Sequence, residues 1–481
     1  VNLKKKSIEG LKWSFIETIG VRLFSVSTYF ILAKLLSPTA FGLVALTNTF
    51  IFFSEVFVEQ GFVAALVQKK NLELSHLSSA FWGNLALGAL LFGITYVCSP
   101  WIASLYEEPV LADILRVHAL TYIISSFAKV HLALLQRELQ FKKIAVARTI
   151  AIVVSCIVSI VLAYLGYGAW SLVFQQIIFN ILQTLILWIV DRWKPAFIFS
   201  WSHYKSIFSF GSKVMMNRFT MYLIRYTDTL LIGYFLGTGP LGYYSFAQKI
   251  FITLTDLVDL TFNKVTFSVF SLLQDQREKL SQEFHKFVDL IATISFPLFA
   301  GAFVFTPTIV PLFFGDKWTA SIPVIQILSV AGVLACFYSC LNNLFGGIGK
   351  VGTNLKIKIG YLILSLVLMY IAVQYSIEMV AATYIFAMLI TLVVMLSFMK
   401  QQVELNAKQY LITLGKPLLV SVFIAFLVYT SSMAVKDVTL PIIVLQVFVS
   451  ITIYLGYLLL TKPNFMNEIR SLSNKKPIKA K

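Results

Sequence analysis

The sequence predicts an all-α integral membrane protein of about 14 transmembrane helices. Three observations lead there. Hydrophobic residues make up 58% of the 481 and charged residues 13%, about half the charged share of a soluble domain. Mean hydropathy is +0.82. Apolar runs of membrane-spanning length recur along nearly the whole chain, and the lysines and arginines between them fall almost entirely in alternate connections. Such a composition excludes a cytosolic enzyme, a disulfide-stapled secreted scaffold and a disordered chain. The net charge of +17 is read as basic inner loops beside anionic lipid, with no nucleic-acid partner.

The first span covers 13–36. The basic start before it, with Lys4, Lys5 and Lys6, leads into an apolar stretch that Glu17 and Arg22 interrupt. No small-x-small cleavage site follows, so the span is expected to be retained. Residues 3–12 are expected to lie on the inner surface as a short basic helix. Further runs occupy 40–66, 77–99, 111–135, 146–165 and 169–190. A polar break from Asp191 to Ser206 separates them from six more, at 209–236, 240–266, 286–310, 323–345, 358–376 and 379–399. A second break, Lys400 to Gln409, precedes the last two, at 412–434 and 440–461.

Orientation follows from the basic residues. With the first end inside, 29 Lys and Arg fall in inner segments, and only Lys317 and Lys436 lie in outer loops. The positive-inside rule then places both termini in the cytoplasm, consistent with an even number of spans.

An internal repeat organises the chain. Leu35-Leu36-Ser37-Pro38-Thr39-Ala40-Phe41-Gly42 corresponds to Phe235-Leu236-Gly237-Thr238-Gly239-Pro240-Leu241-Gly242 at an offset of 200. Both segments read as tight outer turns between a first and a second helix. A second echo pairs Ser99-Pro100-Trp101-Ile102 with Thr306-Pro307-Thr308-Ile309, each following the third helix of its half. Six helices repeat as six of the same orientation, a parallel repeat with the transport path expected between the halves. The expected domains are an N-lobe at 1–190, a cytoplasmic linker at 191–208 and a C-lobe at 209–399. Two extra helices at 400–461 and a basic tail at 462–481 complete the chain.

The charges inside the spans are the functional signal. Arg22, Arg218, Arg225, Lys249, Glu55, Glu59, Asp228, Asp256 and Asp259 all lie well within their helices. At about 2.5–3.5 kcal/mol each when facing lipid, nine would cost on the order of 20–30 kcal/mol. They must therefore face one another or a wet cavity. Arg218 and Arg225 are seven residues apart and share one helix face. Asp228, three beyond Arg225, can pair with it. Lys249, Asp256 and Asn263 recur every seven residues as a polar stripe, flanked by Asp259. Glu55 and Glu59 are one turn apart, and Glu59 corresponds to Asp259 in the repeat. Glu17 lies about 140° round its helix from Arg22, so a pair on one face is not expected. Interhelical salt bridges are the competing reading for the whole set. Lys34 and Lys264 read as snorkelling residues, and Arg116, Lys129 and His131 as interfacial anchors.

The opening "GLKWSFIETIGVRLFSVSTYFILAKLLSPTAFGLVALTNTFIFF" and the second-half start "FGSKVMMNRFTMYLIRYTDTLLIGYFLGTGPLGYYSFAQKI" resemble one known family across roughly the whole chain. It is the polysaccharide-exporter branch, of the Wzx/WzxC and teichuronic-acid-exporter type, of the multidrug/oligosaccharidyl-lipid/polysaccharide (MOP) flippase superfamily. The turn pattern L-L-S-P-x-x-F-G is the most specific part. The resemblance implies two six-helix lobes around a central cavity that opens alternately to either side. It implies export of an undecaprenyl-diphosphate-linked oligosaccharide from the bacterial cytoplasmic membrane. A polysaccharide polymerase and glycosyltransferases of the same pathway would be partners. Cavity arginines of the related lipid II flippases carry over as a residue type only. On that basis Arg22, Arg218, Arg225 and Lys249 are candidates for the diphosphate. Glu55, Glu59, Asp228, Asp256 and Asp259 are candidate cavity carboxylates for ion coupling.

Two other functions stay open. A cation-coupled drug or toxin antiporter of the same fold would want a carboxylate-dominated cavity, against the arginine-rich seventh helix. A membrane polysaccharide polymerase would carry a large polar outer loop, where the longest here is about a dozen residues. The sequence has no P-loop and no His/Asp/Glu cluster at metal-ligand spacing, so neither enzyme chemistry, cofactor nor metal is expected. Cys98, Cys156, Cys336 and Cys340 read as small packing residues. Trp101, Trp193, Trp201 and Trp318 fall at expected interfaces, and Tyr106 or Trp318 could stack on a sugar.

Overall fold

The computed structural model describes residues 3–59, 62–69, 71–400, 407–434 and 439–461. These residues are helical almost throughout, with no strand among them. The helices are α1 (Leu3–Leu35), α2 (Pro38–Glu59), α3 (Phe62–Gln68), α4 (Leu74–Leu105), α5 (Pro109–His118), α6 (Leu120–Arg137), α7 (Phe141–Tyr164) and α8 (Ala169–Val190). The second half holds α9 (Trp201–Leu236), α10 (Thr238–Leu272), α11 (Arg277–Phe314), α12 (Ile322–Gly347), α13 (Val351–Ala372), α14 (Ile377–Met399), α15 (Ala407–Ala434) and α16 (Leu440–Thr461). A 3₁₀ segment, Asp316–Ser321, precedes α12.

Twelve stretches among the described residues are long and apolar enough to cross a membrane. The remaining two of the expected spans are α9 and α10. They are 36 and 35 residues long, but charges interrupt their apolar runs. Six of the nine charges that carry the functional signal, Arg218, Arg225, Asp228, Lys249, Asp256 and Asp259, therefore sit on the two helices with the weakest membrane signal.

Several local expectations change. The basic start is not a separate surface helix, because α1 runs unbroken from Leu3 to Leu35. The expected fourth span divides at Ala119 into α5 and α6. The second echo lies inside α4 and α11, with Pro100 and Pro307 within the helices. Trp318 is not an interfacial belt residue. It is fully buried and stacked on Phe246 with centroids 4.4 Å apart. Tyr106 is also buried, packed edge-on against Phe50 and Tyr234. Neither ring is available to a sugar. Trp101 and Trp201 are exposed. All four cysteines are free.

The chain packs as two units, Val1–Ser245 and Phe246–Lys481. In the first, α9 packs against α2, α3 and α4. Its core beside the 191–200 linker gathers Phe62, Leu66, Phe81, Val130 and Ile207. In the second unit, aromatic residues from α10, α11 and α12 form the core, among them Phe270, Phe284, Phe287 and Phe345. The outward faces of α15 and α16 stay apolar and exposed, with Leu419, Phe426, Leu459 and Leu460 among them, as a lipid-facing surface requires. Apolar burial drives little association between helices in lipid, so close packing and buried hydrogen bonds carry more of it. Tyr454 Oη donating to the Thr293 carbonyl at 2.7 Å is one such bond.

The linker is a docked strap. The Trp82 indole donates to the Ala196 carbonyl at 2.8 Å. The Ala196 and Ser200 amides donate to Ser78 Oγ and Ser79 Oγ at 3.1 and 2.8 Å. Phe197 stacks on Trp82. These contacts fix the direction in which α9 departs.

Candidate functional site

Helix α9 presents Arg218 and Arg225, both exposed. Its aromatic residues explain why. Phe219, Tyr222 and Tyr226 lie against Phe57, Phe53 and Phe52 of α2, and Tyr222 Oη donates to the Thr49 carbonyl at 3.1 Å. This ladder fixes the helix rotation and leaves the two arginines beside it. The Arg225 guanidinium stands 5.9 Å from the centre of the Tyr226 ring.

Asp228 is placed differently from the expected partner of Arg225. It is 1% exposed and accepts Tyr244 Oη at 2.9 Å and the Thr229 amide at 2.6 Å. No ion pair joins Arg225 to Asp228 among the described residues. The carboxylate ties α9 to the start of α10.

The first six spans carry a second set of charges. Arg22 is half-buried on α1. Glu17 on the same helix pairs with Arg148 of α7 at 2.8 Å. Arg148, near the start of the expected fifth span, thus ties α7 to α1. Lys129 of α6 interacts electrostatically with Glu55 of α2 and with Arg148. It is thus part of an internal charge network and not an interfacial anchor. Arg116 does pair with Asp113, at 3.3 Å, and covers the Tyr96 ring at 5.0 Å. Against Arg22, Lys129, Arg148, Arg218 and Arg225 stand Glu17, Glu55 and Asp228. Glu59 ends α2, and its side chain, like that of Lys264, lies outside the described residues.

The second unit holds Lys249, Asp256 and Asp259, all half-buried on α10. The polar stripe continues to Asn263, whose Oδ1 accepts Ser339 Oγ at 3.1 Å and Asn343 Nδ2 at 2.8 Å. Asn343 Nδ2 also reaches Thr266 Oγ1 at 3.0 Å. Asp259 bonds Ser339 and Asn263 and stands near Asp256. This is a polar seam between α10 and α12. Its α12 members were missed in the sequence, although Asn342-Asn343 within an apolar run marks them.

The candidate residues thus form two groups. Arg22, Glu55, Arg218, Arg225 and Asp228 belong to the first unit, and Lys249, Asp256 and Asp259 to the second. Sequence reasoning missed Lys129 and Arg148, and it missed a cluster of Glu73, His76 and His203. In that cluster the third residue comes from a distant helix, so spacing along the chain could not reveal it.

Fold and charge placement define the class: a multi-pass, all-α membrane protein whose first unit carries an excess of cations within its helices. The chain belongs to the family of polysaccharide biosynthesis proteins, whose model matches residues 31–323. It is 24% identical over 438 residues to the teichuronic acid biosynthesis protein TuaB of Bacillus subtilis (strain 168), covering 90% of this chain and 91% of that one. It is 26% identical over 361 residues to the lipopolysaccharide biosynthesis protein WzxC of Escherichia coli (strain K12), covering 75% and 73%. Among solved structures, the lipid II flippase MurJ in its inward closed conformation matches with a TM-score of 0.76 at 18% identity. The match covers 95% of this chain and 100% of that one and establishes the shared fold.

Proposed function

We propose that the protein is a flippase that moves an undecaprenyl-diphosphate-linked oligosaccharide outward across the bacterial cytoplasmic membrane by alternating access. The observation that carries this reading is the pair of exposed guanidinium groups, Arg218 and Arg225, held on one side of α9. A planar guanidinium grips a phosphate through two parallel hydrogen bonds. Arg22 and Lys249 are proposed to add to the grip, and Glu55, Glu59, Asp256 and Asp259 to couple movement to an ion. The family membership and the names of the relatives favour a polysaccharide intermediate as cargo. An apolar groove of about 360 Å³ between α11, α15 and α16, lined by Gly301, Val304, Ile424, Val447 and Ile451, offers room for part of a lipid chain.

An antiporter for organic cations is the weaker reading, because the named cations of the first unit outnumber its carboxylates. A polymerase is weaker still, since the chain carries no catalytic constellation that its sequence or described residues reveal. The proposed lobes are 1–190 and 209–399, with 191–208 between them on the cytoplasmic side, where 201–208 already form the first turns of α9, 400–461 holding two further helices and 462–481 a cytoplasmic tail. Both termini are proposed to be cytoplasmic, on the distribution of Lys and Arg. A polymerase and glycosyltransferases of one pathway are the proposed partners.

The test is twofold. The gene should restore polysaccharide export to an exporter-null strain, and the purified protein should flip lipid-linked oligosaccharide in proteoliposomes. Failure of both, with the protein inserted at normal levels, would overturn the reading.

A further inference from the structure

Glu73, His76 and His203 converge where the linker meets the start of α4. Glu73 caps α4. His76 lies one turn in and is 5% exposed, and His203 comes from the first turn of α9. One ligand atom of each lies within 4.8 Å of the other two. Glu73 Oε2 is 3.9 Å from His203 Nε2, and the imidazole centroids are 4.0 Å apart. The Glu73 amide donates to His76 Nδ1 at 3.3 Å, and Ser75 Oγ donates to Glu73 Oε2 at 3.1 Å. His203 Nδ1 is buried with no hydrogen-bond partner among the described residues. The neighbouring cation, Lys69, donates to Ser206 Oγ at 2.8 Å, one turn beyond His203.

Ring stacking explains the contact of the two imidazoles. It does not explain the carboxylate that converges on His203 Nε2. Two imidazoles and one carboxylate make a zinc ligand set that leaves a fourth position for water. Imidazole nitrogen selects Zn²⁺, Co²⁺ or Ni²⁺ over Mg²⁺ and Ca²⁺. Metal–ligand bonds of about 2.0–2.2 Å put tetrahedral ligands roughly 3.4 Å apart. The three ligand atoms, all within 4.8 Å of one another, need to close by at most about 1.4 Å to reach that geometry.

We propose that Glu73, His76 and His203 bind one divalent transition metal of the Zn²⁺ class, and that the ion latches the start of α9 to α4. The ion would reinforce the strap bonds through Ser78, Ser79 and Trp82. It would hold the same helix that carries Arg218 and Arg225 further along. Metal binding does not depend on the flippase reading; only a consequence for transport would.

The full chain, tag-free in detergent and stripped with chelator, should be titrated with Co²⁺ and then Zn²⁺. One Co²⁺ per chain should bind with the visible absorption of a low-coordinate site, and Zn²⁺ should displace it while Mg²⁺ does not. Glu73→Gln and His203→Gln should each weaken Zn²⁺ binding at least tenfold. These are the more exposed ligands, so the test does not hang on a buried His76 substitution. Zn²⁺ should slow trypsin cleavage after Arg192 and Lys205 at least fivefold in the natural protein and not in the His203→Gln variant. Wild-type binding no tighter than that of the Glu73→Gln/His203→Gln double variant would overturn the site. Tight binding with unchanged cleavage would overturn the latch. Neither measurement needs transport, so both stand apart from the fate of the flippase reading.

Discussion

Gly42 and Gly242 meet reciprocally. A β-carbon on Gly42 would lie 2.9 Å from the Gly242 nitrogen and overlap the Thr238 carbonyl oxygen. A β-carbon on Gly242 would overlap the Pro38 carbonyl oxygen. Each relation maps onto the other by the same 200-residue offset that relates the two sequence segments. The first turns of α2 and α10 thus pack backbone to backbone, and only glycine permits that approach. Beside them, Tyr29 Oη donates to the Ser245 carbonyl at 3.3 Å, and Thr238 bonds Glu108.

This packing leads to the first prediction. Gly42→Ala or Gly242→Ala should force the two turns apart, destabilising the contact by about 1–3 kcal/mol, the usual range for overpacking. In a Thr39→Cys/Gly239→Cys background, either alanine should slow bridging by a short bifunctional thiol reagent by about tenfold. In an otherwise natural chain the bridge should stop transport, and reduction should restore it. Bridging at an unchanged rate in the Gly42→Ala/Gly242→Ala background would show that the approach is not needed.

The Glu17–Arg148 pair carries the second prediction. Its oxygen–nitrogen distance is 2.8 Å, and the Glu17 side chain is 12% exposed. The Arg148 side chain is 40% exposed, so removing one partner should cost well below the about 3–5 kcal/mol of a fully buried pair. Arg148→Ala should therefore lower thermal stability in detergent clearly more than Glu17→Gln, which leaves a neutral side chain. The exchanged pair, Glu17→Arg with Arg148→Glu, should recover part of the loss. Equal melting of all four proteins would remove the pair from the structural account.

The third prediction concerns drive and rests on the proposed cargo. A diphosphate carries about two negative charges, and an inside-negative potential favours outward movement by about 2.3 kcal/mol per charge per 100 mV. If the protein's own charges stay in place, collapsing the potential should slow flipping in proteoliposomes. An undiminished rate at a clamped zero potential would point to ion exchange through Glu55, Glu59, Asp256 or Asp259.

The legibility of the chain follows the range of its interactions. The helical class and the two-residue connection before Pro38 depend on local composition and turn residues, and the sequence displays both. The same holds for the shared face of Arg218 and Arg225, which seven-residue spacing dictates. What it hides is pairing between distant helices. Nothing near Arg148 in the chain names its partner until α7 brings it to Glu17. Trp318 reads as a belt residue until Phe246 covers it. Asp228 sits at pairing distance from Arg225 along the helix, yet a buried tyrosine on the next helix claims it. His203 has no local signal that links it to Glu73 and His76.

The last prediction concerns Arg218 and Arg225. Aromatic packing against α2 fixes the rotation of α9, and of the two guanidinium groups that of Arg225 stands over a ring of the ladder, Tyr226. Both are exposed, so their removal should leave the ring-to-ring contacts with α2 in place. A charge this far into a span is expensive beside lipid and is offset by water or a bound anion. Arg218→Ala and Arg225→Ala should each abolish export while membrane insertion stays normal. Lysine should restore it only in part, because an ammonium cannot reproduce the bidentate grip. Arg22→Ala should behave similarly if α1 contributes to the same anion. Asp228→Ala should differ in kind. It frees Tyr244 Oη in a buried position, which costs about 1–3 kcal/mol, so lowered stability should accompany its transport defect. The measurements are complementation of an exporter-null strain, the amount of inserted protein and its melting temperature. Full export by the Arg218→Ala/Arg225→Ala double variant at normal abundance would show that α9 does not hold the substrate.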